Sequence, residues 1–346
     1  MPFEPFPIID LQGTAEERGI QHGTLLKDRI HQTIKFYKLV FKLPEKEILE
    51  TAEHFTSVIE SVNHDYLVEL EAIAQGAEVD PRWILALNCR SEIITMVNQN
   101  PNECTALVVP NSGLLAQNWD WAEALEGLSV IMRIKYPSGH TILMMTEPGI
   151  IGKIGLNSSG VGVTLNFLHA PGKLDGVPIH ILLRMVLDSR NYDEAVEKTR
   201  NYAIGKAGNI IIASGHQYID FEFANTEFHE LSANDQIPFS HTNHFLADKR
   251  LNTRGDLLAS SYARYARSRQ IIESNDSPST IADIKALLKD QQNSSLPICR
   301  PYIVDAEIGN VGTICSLIMD LRSLTLYYTP GNPFTNEYRS ISLSNS

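Results

Sequence analysis

The sequence predicts an α+β protein in which packed sheets are covered by helices and neighbouring strands run antiparallel. Three observations predict it. Residues 14–97 carry helical periodicity, and the period changes near residue 100 to short apolar runs broken by turns. From there blocks of strands and helices alternate to the C-terminus, with no internal repeat or low-complexity tract. At 346 residues the chain is long enough for a sizeable core, and 43% hydrophobic with 20% charged residues is ordinary for a globular protein.

Thr14 followed by Glu17 forms a capping box at the first helix start. Ile20, Ile30, Ile34, Tyr37 and Phe41 then fall near one helical face, until Pro44 interrupts. Ile48, Ala52, Phe55 and Ile59 space a second amphipathic helix. Leu67, Leu70 and Ala74 space a third, closed by Gly76. Asp80-Pro81 supplies an N-cap and a first-turn proline for a fourth, which carries Trp83, Leu87, Arg90 and Ile94. The polar stretch 98–102, with its proline, reads as an exposed loop. Cys104 to Val109 is then an apolar strand, 110–113 a turn, and Leu114 to Trp119 the return strand. Strands are predicted over 128–136, 140–147, 150–156 and 161–168, with a hairpin across 154–163. Residues 177–202 read as helix, and 208–214, 218–223 and 227–231 as strands. Helices over 256–273 and 279–291 precede a closing hairpin, 313–319 with 323–328.

Composition excludes several functions. A net charge of −12 argues against a sequence-independent grip on nucleic acid, which needs clustered Lys and Arg. No run approaches the 18 or so apolar residues of a membrane span, and residues 1–13 lack the basic and apolar parts of a signal peptide. Cys89, Cys104, Cys299 and Cys315 are too widely spaced for a structural zinc site and too few for a disulfide framework. Free thiols in a reducing compartment follow, and with them a cytoplasmic location. The glycine-rich stretch 154–163 lacks the Lys-Ser/Thr ending of a phosphate loop, so no cofactor is expected.

Among chemistry-bearing residues, Cys104 stands directly after the loop at the start of a strand. The ordinary fate of such a cysteine is to pack as a small hydrophobe. Asp120 ends the return strand and lies near the start of the Cys104 strand if the two form a hairpin; alone it is a turn-forming aspartate. His241-Thr-Asn-His244 offers two histidines three apart, with no further ligands in sequence to make a metal site. Asn243 between them has a side-chain amide suited to an oxyanion. Arg300 precedes Pro301 and is pushed toward extended backbone; its plain role is a surface ion pair.

Together these pieces resemble the acyl-coenzyme A:6-aminopenicillanic acid acyltransferase family, or isopenicillin N acyltransferase-like proteins. The resemblance runs in order through Gly19-Ile-Gln-His-Gly23, Cys104-Thr-Ala, Gln117-Asn-Trp-Asp120 and Glu147-Pro-Gly-Ile-Ile-Gly-Lys-Ile-Gly155. It continues through Asn157-Ser-Ser-Gly-Val161, Gly176-Val-Pro178, His241-Thr-Asn-His244 and Ile298-Cys-Arg-Pro-Tyr302. It implies an N-terminal-nucleophile (Ntn) hydrolase: an αββα sandwich of two stacked antiparallel sheets between helical layers. It also implies a precursor that cuts itself before Cys104, leaving a helical segment 1–103 bound as one chain to a catalytic chain 104–346. The family's penicillin enzyme has glycine before the cut; here the residue is Glu103.

An unperturbed thiol has a pKa of about 8.5, and a free α-amine about 7.7–8.0. Cleavage would put that amine on the same residue as the thiol, where it can act as base. By resemblance Asp120 and Arg300 are the other catalytic positions, with Asn243 as oxyanion donor. Thr105, Trp119 and His244 are expected to shape the substrate pocket, although core packing also accounts for Trp119. The expected reaction is hydrolysis of a small linear amide through a Cys104 acyl-enzyme. The alternatives are acyl transfer from a thioester or amide to an amine such as 6-aminopenicillanic acid, a cysteine hydrolase using His169, His241 or His244 as base, and an unprocessed binding protein.

Overall fold

The computed structural model describes residues 3–97, 104–170, 175–231, 237–274 and 277–343. Strand β1 (Ile8–Gln12) leads into α1 (Ala15–Leu25), α2 (Lys27–Phe41), α3 (Glu45–Glu53), α4 (Thr56–Val62), α5 (His64–Ala77), α6 (Pro81–Asn88) and α7 (Arg90–Met96). Then come β2 (Cys104–Val109), β3 (Leu114–Ala122), β4 (Val130–Lys135), β5 (Thr141–Thr146), β6 (Ile154–Asn157) and β7 (Gly162–Val163). Helices α8 (Ile179–Leu187) and α9 (Tyr192–Tyr202) precede β8 (Lys206–Ala213), β9 (Tyr218–Asn225), β10 (Glu227–Leu231) and β11 (Phe239–His241). The chain ends with α10 (Ala259–Ile272), α11 (Ile281–Leu288), β12 (Ile303–Asp305), β13 (Gly309–Asp320), β14 (Thr325–Tyr328) and β15 (Arg339–Ser342).

The capping box at Thr14 and Glu17 forms with both reciprocal bonds present. Three of the four expected N-terminal helices are divided, at Leu26, at His54–Phe55 and at Cys89. The remaining one does not close at Gly76. It runs to Ala77 and ends on Glu78 in the left-handed region, φ 55°. Gly76 has a different task, because a Cβ there would stand 2.6 Å from the Ile20 carbonyl oxygen. A Cβ at Gly19 would meet the Glu69 carbonyl at 2.5 Å, and one at Gly23 the Ile73 carbonyl at 2.2 Å. The glycines of the Gly19–Gly23 stretch therefore let α1 and α5 touch backbone to backbone.

Two sheets result. One has eight strands in the order β1-β4-β5-β6-β7-β8-β9-β10; the other has seven, β11-β2-β3-β13-β14-β15 with β12 on β13. Pairings are antiparallel except β1 with β4, which is parallel. The N-terminal segment thus contributes an edge strand as well as helices, which its short proline-containing sequence did not announce. Strand β6 begins later than predicted, because Gly152 is pressed against α8, where a Cβ would lie 2.2 Å from the His180 carbonyl. The predicted strand 161–168 is reduced to Gly162–Val163 and a bridge at Asn166.

Cys104, Ala106, Val108, Leu115 and Trp119 of the seven-stranded sheet share a core with the eight-stranded sheet and the N-terminal helices. Leu107, Val109, Leu114 and Ala116 face the other way, onto Ile272 of α10 and Ile284, Leu287 and Leu288 of α11. Helices α8 and α9 pack on the eight-stranded sheet. This is the αββα sandwich. Among the described residues, no helix is long and apolar enough to cross a membrane.

Candidate active site

Strand pairing assembles the site. β2 and β3 form the expected hairpin in a register that sets Cys104 opposite Trp119. The turn between them closes on Gly113 at φ 66°, a conformation that favours glycine. On the other side β11 pairs with β2, His241 opposite Ala106, which brings the residues after His241 up to Cys104. β13 pairs with β3, Thr313 opposite Asp120.

Cys104 is buried at the head of β2. Its backbone N–H donates to Asn243 Oδ1 at 2.6 Å, and its carbonyl accepts from Arg264 of α10. Arg264 also donates to Thr105 Oγ1 at 3.0 Å and to Asn243 Oδ1 at 2.9 Å. The Asn243 Nδ2 donates to the Phe167 carbonyl at 3.0 Å, and the Asn243 N–H to Ser261 Oγ at 2.8 Å. Both ends of Cys104 are therefore clamped by buried polar groups. Burial, and then the nearby Asp120 carboxylate, push the thiol up to about 11. The Asp120 N–H, the Arg264 charge and Gln117 oppose this without overcoming it.

Asp120 is buried and accepts from Thr313 Oγ1 at 2.6 Å. The same Thr313 oxygen accepts the Arg300 N–H at 2.9 Å, so one hydroxyl joins Asp120 to the Arg300 backbone. The Arg300 carbonyl is held in turn by the Thr313 N–H at 3.1 Å and by Asn332 Nδ2 at 2.9 Å. Glu103 lies outside the described residues.

His241 and His244 are occupied elsewhere. His241 contacts Glu222 at 2.8 Å and the Thr242 carbonyl at 2.8 Å. Burial would lower its pKa, but the carboxylates of Asp220 and Glu222 outweigh that and raise it. Glu222 also accepts the N–H groups of Leu246 at 2.6 Å and Ala247 at 3.0 Å, which pins the loop carrying Asn243. Asp220, Glu222 and His241 are close enough together to hold a cation; Glu222 and His241 already bond each other and backbone groups, and Asp220 accepts from the Asn209 side-chain amide. His244 rests on Ser261 at 2.8 Å and packs against Tyr262 and Tyr265; burial takes it down to about 4, so it is neutral. His169 is half-buried and lowered by burial and then by the Arg254 charge.

On the thiol's side of the sheet lies a cluster that sequence reasoning missed. Lys153 sits 3.5 Å from the centre of the Trp119 ring and pairs with Glu147; Arg90 of α7 reaches the same Glu147 oxygen at 3.0 Å. Tyr37 donates to the other Glu147 oxygen. Burial alone would raise Glu147, but Arg90, Lys153 and Tyr37 outweigh it and hold the carboxyl at about 2. Arg90, Lys153, Trp119 and Cys104 line a cavity of about 20 Å³, closed further by Leu165 and Phe167. That volume admits about one water molecule. A wider groove of about 620 Å³, lined by Asp10, Gln21, Arg133 and Lys135 among others, lies along β1 and β4 and does not include Cys104. The small cavity is the one that Cys104 lines. Gln117, Glu147 and Lys153 stand in stretches already singled out by resemblance, whereas Arg264 carried no signal in the sequence and Arg90 only its place in the helical spacing of Trp83, Leu87 and Ile94.

Comparison with known proteins bears on the family and the fold. The family model described as acyl-coenzyme A:6-aminopenicillanic acid acyl-transferase matches residues 108–334. The 40 kDa form of acyl-coenzyme A:6-aminopenicillanic-acid-acyltransferase of Emericella nidulans is 30% identical over 321 residues, covering 90% of this chain and 89% of that protein. Protein dcd1A of Dictyostelium discoideum is 23% identical over 239 residues, 57% of this chain and 52% of that protein. In fold, the chain is similar to a mutant of the conjugated bile acid hydrolase of Clostridium perfringens, with a TM-score of 0.50 at 14% identity. The match covers 70% of this chain and 93% of that one. With the family model spanning most of the chain and the Emericella relative nearly all of it, this chain belongs to the acyl-coenzyme A:6-aminopenicillanic acid acyl-transferase family and is an enzyme of the Ntn-hydrolase fold.

Proposed function

We propose that the chain cuts itself between Glu103 and Cys104, and that the mature enzyme hydrolyses a small linear amide through an acyl-enzyme on Cys104. Segments 1–103 and 104–346 stay together as two chains of one Ntn-hydrolase unit. The observation that carries this reading is the double clamp on Cys104, its N–H on Asn243 and its carbonyl on Arg264. Any buried backbone N–H and C=O needs partners, but here both are taken by side chains, an asparagine and an arginine, rather than by a neighbouring strand. Scission would turn the clamped N–H into an α-amine already seated on Asn243 Oδ1, beside the thiol it is to deprotonate.

In the mature site Asp120 would orient that amine and Arg300 would hold an anionic group or lower the amine's pKa. Asn243 positions the amine through Oδ1. It serves as oxyanion donor only if its Nδ2 leaves the Phe167 carbonyl, with a backbone N–H as the second donor. Trp119, under Lys153, forms a wall of the cavity beside the thiol; Thr105, held by Arg264, falls on the opposite face of β2 and would steady the strand rather than line the pocket; His244 stands behind Asn243. No metal or cofactor enters the scheme. The four free cysteines suit a reducing compartment, and we place the enzyme in the cytoplasm. A second reading, acyl transfer from a thioester or amide to an amine such as 6-aminopenicillanic acid, is favoured by the acyltransferase named among its relatives.

The test is the intact mass of purified wild type beside Cys104→Ala. Two chains, 1–103 and 104–346, in wild type and one in the variant are expected. A single wild-type chain after long incubation at several pH values overturns the proposal and leaves the cysteine hydrolase with a histidine base or the unprocessed binding protein. Amide hydrolysis measured with and without an added amine then separates the two reactions.

A further inference from the structure

We propose that Lys153 takes the Cys104 thiol proton in the uncut chain, and so starts the self-cleavage on which the proposed function rests. The mature reaction has a base in the α-amine of Cys104. Before the cut that nitrogen is a peptide N–H donating to Asn243, and it cannot accept a proton. The first cleavage therefore needs another group.

The two faces of the sheet decide which. Successive residues of a strand point to opposite faces. Gln117 and Trp119 share the inter-sheet face with the Cys104 thiol: Cys104 and Trp119 lie in the same core cluster, and Gln117 bonds both ways to Leu165. Asp120 falls on the other face with Asn118, whose side chain reaches the Leu288 carbonyl of α11. The Asp120 carboxylate thus acts on the thiol from behind the sheet, and the sulfur looks across the cavity at the cluster from the β5–β6 connection and α7.

Within that cluster Lys153 is the group that can take a proton near neutrality. Arg90 stays charged at any working pH. Glu147 is held ionised by both cations and by Tyr37, and lies behind them. Tyr37 is raised well above its ordinary value by burial. His180, packed from α8, is pushed far down by burial and is held on the Gly152 carbonyl at 2.9 Å. Burial lowers Lys153 to about 7; the Glu147 charge raises it and the Arg90 charge lowers it. Its stem and head are fixed by the Trp119 ring and Glu147, in a cavity shared with Cys104 that has room for one bridging water.

The thiol proton passes to the neutral Nζ, directly or through one water. The sulfur bonds to the Glu103 carbonyl carbon, and the Glu103–Cys104 C–N bond breaks. The departing nitrogen takes the proton back from Lys153 and becomes the free α-amine. Water then opens the thioester, releasing the Glu103 carboxyl and restoring the thiol. With the thiol at about 11 and the lysine at about 7, the proton favours sulfur by about 10⁴ (11 − 7 = 4 units). Self-cleavage is accordingly slow, as a reaction performed once per molecule can be.

The experiment follows freshly translated full-length chains by gel and intact mass from pH 6 to 9, comparing wild type, Lys153→Arg and Lys153→Met, with melting temperature as the check of folding. Arginine keeps the cation for Glu147 and Trp119 but cannot act as base. Wild type is expected to cut faster as pH rises through about 7. Lys153→Arg is expected to cut at least about 10²-fold more slowly and to lack that rise. Folded Lys153→Arg cutting at the wild-type rate with the wild-type pH profile overturns the role of Lys153 and leaves self-cleavage standing. If neither variant folds, a wild-type rate flat from pH 6 to 8 overturns it. A wild type that never cuts removes the self-processing reading and this role with it.

Discussion

Replacing Thr313 by valine keeps the shape of the side chain and removes one hydroxyl. That hydroxyl donates to Asp120 at 2.6 Å and accepts the Arg300 N–H at 2.9 Å, and Thr313 is fully buried. Hydrogen bonds to charged groups are worth about 1.5–3 kcal/mol and neutral ones about 0.5–1.5 kcal/mol. Their joint loss, offset slightly by an extra buried methyl, should cost about 2–4 kcal/mol. For a chain of 346 residues this lowers Tm by roughly 3–5 °C. The catalytic consequence is separate. Asp120 loses the bond that fixes its carboxylate, and Arg300 the bond that fixes its backbone, so amide turnover by the processed enzyme should fall about 10- to 100-fold. Calorimetry and a single-turnover amide assay measure the two effects side by side. Thr313→Val with wild-type Tm and wild-type turnover would refute the view that this hydroxyl ties the two positions together.

Gly23→Ala should be among the most damaging small substitutions in the N-terminal segment, because the new Cβ would stand 2.2 Å from the Ile73 carbonyl oxygen. Prying α1 from α5 costs about 1–3 kcal/mol or more, read as a urea midpoint shift. Glu147→Gln leaves Arg90 and Lys153 buried without their carboxylate and should cost roughly 3–5 kcal/mol at neutral pH. The Glu147 carboxyl is held at about 2, below its ordinary 4.5. Its contribution is therefore complete above pH 4.5 and fades as pH falls toward 2, so the gap between wild type and variant should narrow in acid. A gap independent of pH would contradict the ion-pair assignment.

How much of this was legible beforehand depended on the range of the interactions. The change of period near residue 100, the Cys104–Asp120 hairpin and the capping box at Thr14 are local, and local rules describe them. The division of the early helices was not legible, since Leu26 and Cys89 are apolar and sit inside unbroken apolar spacing. β1 was missed because its parallel partner is more than a hundred residues away. The site behaves alike. Cys104 and Asp120 meet through one hairpin, but Arg264 arrives from a helix 160 residues later and Arg90 from a helix before the turn. Nothing in a window around Arg264 distinguishes it from a solvent-facing charge, and Arg90, though it shares the spacing of Trp83, Leu87 and Ile94, has no local sign of the Glu147 it meets. Glu147 and Lys153 stood in a stretch picked out by resemblance, without a reason attached; their shared burial against Trp119 supplies it.

The parallel pairing of β1 with β4 has a consequence for history as well as for shape. In the continuous chain, the helical segment and the strand it docks on are tethered, and closing that loop costs an entropy that grows only slowly with its length. If the backbone is severed ahead of Cys104 as proposed, the same docking becomes an encounter between two molecules. The finished enzyme would then be a product that assembles efficiently only as its own precursor. Denatured and diluted, it should regain activity in proportion to concentration, whereas an uncleavable Cys104→Ala chain should refold independently of it. Its lifetime would be guarded by the barrier to unfolding rather than by the ease of return.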